Sequence, residues 1–304
     1  MRHVPVLLKE VVAALRPVSG QTFVDCTLGD AGHAEAILEA MNPNGKLIGF
    51  DADPEAIIRA KRFLDRFQEN VVYVRSNFTT LPEALRAEGV SEVNGILIDL
   101  GWSTPQFAER GRGFSFQNAA EPLDMRYSGA ADLSRRTASE IVNTNALDDL
   151  ARIFRDYGEE NLSSEIAQGI GAARSEKPIE TVGDLVEIIL KAYRKKLRTE
   201  KEIPWIGGLH PATKVFQALR IEVNGELDVI KQIIPACLPF LAKGGRLAMI
   251  SFHSLEDRII KHVYKDMEHK GFKIITKKPI ECSKEEWESN PPSRSAKLRV
   301  IEKL

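Results

Sequence analysis

A glycine-containing turn, residues 29–33, has the composition of a ligand-binding loop. It follows an apolar stretch with the pattern of a short buried strand, and it precedes an Ala-rich segment whose apolar residues have helical spacing. Gly29 and Gly32 let the backbone approach a ligand closely, and the start of the helix offers free N–H groups. A strand, a glycine turn and a helix in this order are typical of the first unit of a nucleotide-binding α/β sheet.

The turn departs from the G-x-G-x-x-G fingerprint of dinucleotide-binding proteins. Ala31 and Ala34 occupy positions where that fingerprint has glycine, and Asp30 places a negative charge where a pyrophosphate would bind. A cationic ligand tolerates this charge, and S-adenosylmethionine carries a sulfonium and an ammonium but no phosphate. The composition of the turn therefore favours S-adenosylmethionine over NAD. The alternative is that this segment is only a tight connection between strand and helix and binds no ligand.

Acidic and aromatic residues follow the next predicted strands. Asp51 comes about 20 residues after the glycine turn, where an acidic side chain can bind the hydroxyl groups of a ribose. The alternative role, a helix cap, fits Asp53 better because a proline follows it. Phe78 could pack on an adenine ring or belong to the core. Asp99 lies in the stretch 95–101, which is continuously apolar like a strand buried on both faces.

Strands and helices alternate as far as the stretch that contains Asp99. This alternation predicts an α/β fold with a doubly wound, Rossmann-like parallel sheet. Ligands of such sheets bind at the carboxyl ends of the strands. We therefore expect Gly29, Asp51, Phe78 and Asp99 to lie at one edge of the sheet.

Beyond that stretch the alternation stops and helical patterns follow one another. A glycine turn and an apolar strand pattern return at 244–254, and two late strands that could form an antiparallel pair come after it. We therefore predict a ligand-binding domain made of residues 1–108 and 214–304. An inserted helical domain, 109–213, would separate its two parts.

Composition limits the class of protein. The 304 residues are 43% hydrophobic and 28% charged, as in soluble globular proteins. No apolar run reaches ~18 residues, so no membrane span is expected, and the N-terminus lacks a signal-peptide pattern. Cys26, Cys237 and Cys282 are far apart and odd in number, which predicts reduced thiols in a cytoplasmic protein, and the scattered His and Cys residues predict no metal site.

A basic cluster lies inside the predicted insertion. The net charge is −1, so any contact with nucleic acid must come from such a local patch. The default interpretation of a charge run is a solvated helix face, and phosphate contact is the alternative. The members of the cluster are Lys191, Arg194, Lys195, Lys196, Arg198 and Lys201.

Eight segments, in this order and over nearly the whole chain, closely resemble the MraW family of ribosomal RNA small subunit methyltransferases. Their order along the chain makes the resemblance specific. The segments are His3–Leu8, Thr27–His33, Asp99–Gln106, Arg112–Phe116, Pro122–Arg126, His210–Ile221, Ser251–Arg258 and Ser293–Arg299.

The resemblance implies an activity and a set of ligand-binding positions. Members of the family methylate the exocyclic N4 of a cytidine in the decoding region of 16S rRNA, with S-adenosylmethionine as the methyl donor. By position, the family's donor-binding residues correspond to Ala31, Gly32, His33, Asp51, Phe78, Asp99 and Gln106. Trp102, Thr104, Tyr127 and Lys214 differ from the family's usual residues, which bears on the detail of the pocket more than on the reaction.

The implied chemistry explains which residues the reaction would need. The amine of cytosine is a weak nucleophile because its lone pair is delocalised into the ring, so acceptors that bind the N–H groups favour a tetrahedral nitrogen. The segment that starts at Asp99 and contains Ser103, Pro105 and Gln106 has a suitable composition. His253 follows the predicted fifth strand and either touches the cytosine or has a structural role.

The predicted partner is 16S rRNA or the small ribosomal subunit, and the protein is expected to be a monomer or a homodimer. Contacts with RNA are expected from Arg112, Lys195, Lys196, Arg198, Arg294 and Lys297. An alternative is a methyltransferase of the same fold that acts on DNA or on another RNA. An NAD-dependent oxidoreductase is disfavoured by the composition of the glycine turn, and a non-enzymatic RNA-binding protein is disfavoured by the presence of Asp51, Asp99 and Gln106.

Overall fold

The computed structural model describes residues 4–42, 44–101, 111–127, 134–201, 203 and 208–304. The chain divides into two compact units. The first, Met1–Trp102 with Leu227–Leu304, contains the β-sheet and is called the sheet unit; the second, Ser103–Glu226, is called the helical unit. Each unit has hydrophobic clusters of its own.

The secondary structure of the described residues alternates in the first hundred residues and is helical after them. The strands are β1 (Thr22–Asp25), β2 (Lys46–Asp51), β3 (Val71–Arg75), β4 (Val93–Asp99), β5 (Leu241–Ser251), β6 (Phe272–Ile274), β7 (Ile280–Glu281) and β8 (Lys297–Lys303). The helices are α1 (Leu8–Leu15), α2 (Gly32–Met41), α3 (Pro54–Phe63), α4 (Leu81–Ala87), α5 (Ala138–Thr144), α6 (Leu147–Gly158), α7 (Ser163–Glu176), α8 (Val182–Leu197), α9 (Thr213–Asn224), α10 (Glu226–Cys237), α11 (Ser254–Glu268) and α12 (Lys284–Ser289).

The sheet has the order β3-β2-β1-β4-β5-β8-β6, and β7 pairs with β8. The pairs among β1 to β5 are parallel, whereas β8 runs antiparallel to its neighbours. This arrangement confirms the doubly wound sheet and the late antiparallel pair. The strand order reverses between β1 and β4, and ligands bind at such a switch point in open α/β sheets.

Apolar residues on both faces of the central strands explain why this sheet is buried. Phe23 and Leu97 pack with α1 and α2 on one face, whereas Val24, Ile96 and Ile98 pack with α4 and α10 on the other. The side chains of a strand alternate between the two faces, so a continuous apolar run is what a strand covered on both sides requires. The carboxyl ends of β1, β2 and β4 are thereby fixed side by side.

The helical unit, in which α5 to α9 lie, forms around an apolar cluster of its own. Thr137 and Thr181 begin α5 and α8 with capping boxes, in which the threonine hydroxyl accepts the N–H of the third helical residue. Leu150 and Phe154 of α6 pack against the other helices of the unit, and Phe216 of α9 belongs to the same cluster.

The helix α9 lies in the helical unit, which extends to Glu226, whereas the sequence led us to end the insertion at residue 213. The close packing of α9 on α6 accounts for this. A Cβ atom on Gly158 would lie 2.5 Å from the carbonyl oxygen of Lys214, so the two backbones come too close for any larger residue.

Two properties expected from composition have structural counterparts. Within the described ranges, no helix is both long enough and apolar enough to cross a bilayer. Cys26, Cys237 and Cys282 are free thiols, and the first two are buried. Burial raises the pKa of Cys237 to about 12, so this thiol stays protonated.

Candidate active site

The loop after β1 leads into α2 through two residues with left-handed backbone. Gly29 has φ of +50° and Ala31 has φ of +59°, and Ala31 precedes α2 without a side-chain cap. A Cβ atom on Gly29 would meet only the carbonyl oxygen of Thr27, at 3.9 Å, so there is open space beside this residue. Gly32 differs, because a Cβ atom there would lie 2.7 Å from the ring of Pro5. Gly29 therefore leaves room for a ligand, whereas Gly32 is required by packing.

Asp51 lies at the end of β2, and backbone donors hold its carboxylate in place. Its Oδ2 accepts the N–H of Gly29 at 2.9 Å, and its Oδ1 accepts the N–H of Asp53 at 2.8 Å. Burial raises the pKa of Asp51, and the two N–H groups oppose this rise. Asp53 caps α3 by accepting the N–H of Glu55 at 3.1 Å, which confirms the predicted cap. Asp51 is therefore fixed while keeping free lone pairs on both oxygens.

Asp99, at the end of β4, is held in the same way. Its N–H donates to Oγ1 of Thr27 at 2.9 Å, and its Oδ1 accepts the N–H of Gly101 at 2.8 Å. Its Oδ2 lies 4.0 Å from Nδ1 of His33. His33 is buried, and its Nε2 donates to the carbonyl oxygen of Val6 at 2.8 Å, so Nδ1 is the nitrogen that faces Asp99.

Sequence reasoning missed a third carboxyl group at this edge. Asp25 is only 1% exposed, and its Oδ1 accepts the N–H of Thr27 at 3.0 Å. Burial raises its pKa to about 6; His33 and the Thr27 N–H oppose this rise, whereas Asp99 and Asp51 add to it. The available signal was its position at the end of β1, directly before the glycine turn. Asp25 thus joins the electrostatic environment of the predicted ligand-binding residues.

Asp30 carries less weight in the choice of ligand than its charge suggests. Its Oδ1 accepts a hydrogen bond from Nε of Arg59 at 2.8 Å, and its side chain is 13% exposed. Because a guanidinium neutralises this carboxylate, Asp30 repels an anionic ligand less than an unpaired aspartate would. The preference for a cationic ligand therefore depends on Asp25, Asp51 and Asp99 instead.

Phe78 and His253, which each had two possible roles, make the contacts expected of structural residues. Phe78 is 4% exposed and packs in the cluster that contains Phe50 and Leu81. His253 caps α11: its Nδ1 accepts the N–H of Glu256 at 3.4 Å, and its Nε2 lies 3.1 Å from Oε1 of Glu256. A contact of either residue with a ligand stays a prediction.

Other predicted residues lie apart from this edge or outside the described ranges. Ser103, Pro105 and Gln106 lie outside the described residues, as do Trp102 and Thr104. In the sheet unit, Lys297 belongs to β8, and the guanidinium of Arg294 lies 5.5 Å from the ring centre of Trp287.

Two groups of predicted RNA-binding residues lie in the helical unit. Arg112 donates from Nη1 to the carbonyl oxygen of Arg126 at 2.6 Å and to that of Tyr127 at 3.2 Å, so its side chain holds a loop together. Lys195 and Lys196 are exposed in the last turn of α8, and Arg198 is exposed directly after it.

Comparisons with known proteins show the family to which the chain belongs. The model of the MraW methylase family matches residues 1–304. The chain is 44% identical to the ribosomal RNA small subunit methyltransferase H of Clostridioides difficile (strain 630), over 99% of each chain. It is also 44% identical to the protein of the same name from Clostridium botulinum (strain Loch Maree / Type A3), over 100% of this chain and 99% of the other. Among solved structures it resembles an rRNA methylase from Streptococcus thermophilus, with a TM-score of 0.40, 12% identity, and coverage of 96% of this chain and 92% of that chain.

Proposed function

Because the chain belongs to the MraW methylase family, we propose that it transfers a methyl group from S-adenosylmethionine to the exocyclic N4 of a cytidine in 16S rRNA. The observation that carries this proposal is the edge of the sheet where the Gly29 loop, Asp51 and Asp99 come together. The relatives that match along their whole length are named for the RNA of the small ribosomal subunit, and they supply the class of substrate.

The residues at this edge fit a cationic nucleoside. Asp51 can accept the hydroxyl groups of a ribose, because the backbone donors fix both of its oxygens without using all of their lone pairs. The open space beside Gly29 lets a ligand approach the backbone. The carboxyl groups of Asp25 and Asp99 would stabilise the positive charge of a ligand bound at this edge. When bound, S-adenosylmethionine supplies a methyl group that the sulfonium has already activated.

Asp99 is the residue that we assign to the reacting amine. A carboxylate that accepts an N–H of the cytosine amine favours a tetrahedral nitrogen and can receive the proton late in the reaction. The N–H of Gly101 holds the carboxylate of Asp99, so its orientation requires no adjustment during the reaction. By the family resemblance, Ser103, Pro105 and Gln106 complete this segment. Most of the rate enhancement would then come from orientation of the amine.

The substrate must present its cytosine outside a stack. Enzymes that modify a base within a structured nucleic acid need that base to be unstacked, because the reacting atom is otherwise inaccessible. We assign the remaining RNA contacts to Arg112, Arg294 and Lys297. Arg112 would act through the loop that it holds, and Arg294 through its exposed guanidinium beside Trp287.

Methyl transfer to purified RNA tests the proposal. The wild-type protein, incubated with labelled S-adenosylmethionine, is expected to methylate 16S rRNA or small subunits, and mass spectrometry of nuclease digests should find N4-methylcytidine. Large-subunit RNA, transfer RNA and single-stranded DNA serve as competing substrates in the same assay. Preferred methylation of DNA or transfer RNA would contradict the assigned substrate, and binding of NAD in calorimetry would contradict the assigned cofactor.

A further inference from the structure

A cluster of exposed cations occupies the C-terminal part of α8 and the residues after it. We call it the basic surface of α8; it consists of Lys191, Lys195, Lys196, Arg198 and Lys201. None of these side chains forms an ion pair or a hydrogen bond with any residue that the structure describes. Arg194, in the same turn, instead pairs with Glu187 at 3.0 Å. The five side chains therefore present positive charge that no described carboxylate neutralises.

Several exposed cations elsewhere in the molecule have carboxylate partners. In the helical unit, Arg152 lies 3.5 Å from Asp149, and Arg155 lies 3.1 Å from Asp156. In the sheet unit, Lys231 lies 2.9 Å from Asp228. A solvated helix face usually mixes charges of both signs in this way. The basic surface of α8 departs from that pattern, so a negatively charged partner from outside the chain is the simplest complement.

The helix that carries this surface is firmly held in the helical unit. Leu185 and Ile189 are fully buried in the core of the helical unit. Near its end, the hydroxyl group of Tyr193 donates to Oε2 of Glu160 at 2.9 Å, and Glu160 is only 2% exposed. Tyr193, Leu185 and Ile189 belong to the same helix as most of the cations. The backbone beneath the basic surface is thus ordered before any partner binds, which lowers the entropic cost of binding.

Helix capping explains only part of this cluster. Cations near the C-terminus of a helix interact favourably with its dipole, and this effect is confined to the last turn. Lys191 lies before the last turn, and Lys201 lies beyond the helix. Arg198, at the cap, has φ of +52°, a conformation that favours glycine. Stability alone would therefore select a smaller set of cations and a glycine at position 198.

We propose that the basic surface of α8 binds phosphate groups of the RNA substrate. This inference rests on the proposed function, because it takes the polyanion to be RNA. A membrane surface is the less suitable partner, because amphipathic helices bind membranes through an exposed apolar face, and here that face is buried in the core of the helical unit. The surface would supply affinity that does not depend on base sequence.

A pair of charge-matched variants tests the inference. The first replaces unpaired cations (Lys195→Gln, Lys196→Gln, Arg198→Gln), and the control replaces paired cations of the same unit (Arg152→Gln, Arg155→Gln, Lys177→Gln). Binding of each protein to labelled 16S rRNA is measured from low to high salt. The first variant should bind about tenfold more weakly at low salt, and its slope of log K against log salt should be smaller by about 2, as expected for three lost phosphate contacts. The control should keep the wild-type slope.

Further measurements separate the possible failures. Equal salt slopes for both variants would mean that RNA binding depends on the total charge and not on this surface. A wild-type slope together with a lower melting temperature in the first variant would mean that the cations only stabilise the helix through its dipole. If the first variant loses binding to vesicles of anionic phospholipid but binds RNA like the wild type, the partner of this surface is a membrane. Any of these three results overturns the inference. If the wild type binds RNA through this surface but methylates none, the proposed function fails and the inference holds. If it methylates RNA and the first variant binds RNA like the wild type, the inference alone fails.

Discussion

The carboxyl edge of the sheet and the basic surface of α8 use charge in opposite ways. At the edge, Asp25, Asp51 and Asp99 are largely buried, and backbone N–H groups hold each carboxyl group. The cations of the basic surface of α8 are exposed and have no partners among the described residues. Interactions between buried groups are screened little by salt, whereas those of exposed charges are screened strongly. Under the two proposals, the edge would select a small ligand by fixed geometry, and α8 would attract a large polyanion from a distance.

The largest expected effect is the loss of methyl transfer when Asp99 is removed. We expect Asp99→Ala to lower the single-turnover rate by about 100-fold or more, because the amine loses its acceptor. Asp99→Asn keeps an acceptor for the N–H of Gly101, so it separates catalysis from support of the loop. Circular dichroism serves as the folding control. A folded Asp99→Ala protein that transfers methyl groups at a rate near that of the wild type would move the site, with the segment that begins at Ser251 as the next candidate.

A smaller effect is expected at Asp51, on binding of the methyl donor alone. Asp51→Ala should weaken S-adenosylmethionine binding by about 1.5–3 kcal/mol, or about 10- to 150-fold, the range for charge-assisted hydrogen bonds. Asp53→Asn is a matched control, because it changes a neighbouring carboxylate that caps a helix instead. Calorimetry at low and high salt should show little change in wild-type affinity, in contrast to RNA binding. Wild-type affinity in Asp51→Ala would remove the ribose assignment.

The pH dependence of stability tests whether Asp25 is a buried, strained carboxyl group. Its pKa is about 6 in the folded protein and 3.8 as the reference, so the folded state takes up a proton as the pH falls between these values. Ionised Asp25 therefore disfavours folding above pH 6, by at most about 3 kcal/mol, and this penalty disappears at lower pH. Asp25→Asn never ionises and keeps an oxygen for the N–H of Thr27. Relative to the wild type, it should be more stable at pH 8 than at pH 4.5.

Denaturant unfolding of both proteins at these two pH values measures the difference. The control is Asp228→Asn, which changes an exposed aspartate. Parallel pH profiles for the wild type and Asp25→Asn would show that the carboxyl group of Asp25 is not strained.

Much of the fold could be predicted because local patterns determine it. β2 is an apolar run and α4 has a proline at its start, and both features are visible in the sequence. The two-residue strand β7 and the short helix α12 were not predicted, because such short elements have no detectable periodicity. The unit to which α9 belongs was also not evident. Helical spacing shows that one face is buried, but not which partner buries it.

The site was predicted less completely, because its geometry depends on residues far apart in the sequence. The partner of Asp30 is Arg59, and the ring that crowds Gly32 belongs to Pro5, so neither effect is visible in the glycine turn itself. Asp25 was passed over because an aspartate at the end of a strand is ordinary in sequence, whereas its burial is a property of the whole sheet. Long-range contacts thus changed the reasons for the ligand preference.

The smallest effect is expected at Asp30. It tests whether a carboxylate paired with a guanidinium matters less for the ligand than the carboxylates held by backbone N–H groups. Asp30→Asn removes a carboxylate from the same loop that contains Gly29, but this carboxylate is engaged by Arg59 at 2.8 Å. The affinity for S-adenosylmethionine should therefore change by less than about threefold, in line with the modest energies of partly exposed ion pairs, and NAD should still not bind. Arg59→Gln is the complementary variant: it removes the guanidinium beside Asp30 and leaves the carboxylate charged, so it should bind the cationic donor as well as or better than the wild type does. A large loss of donor affinity in Asp30→Asn, with Arg59→Gln unchanged, would mean that Asp30 itself contacts the ligand and that the selection of a cation begins in the glycine turn.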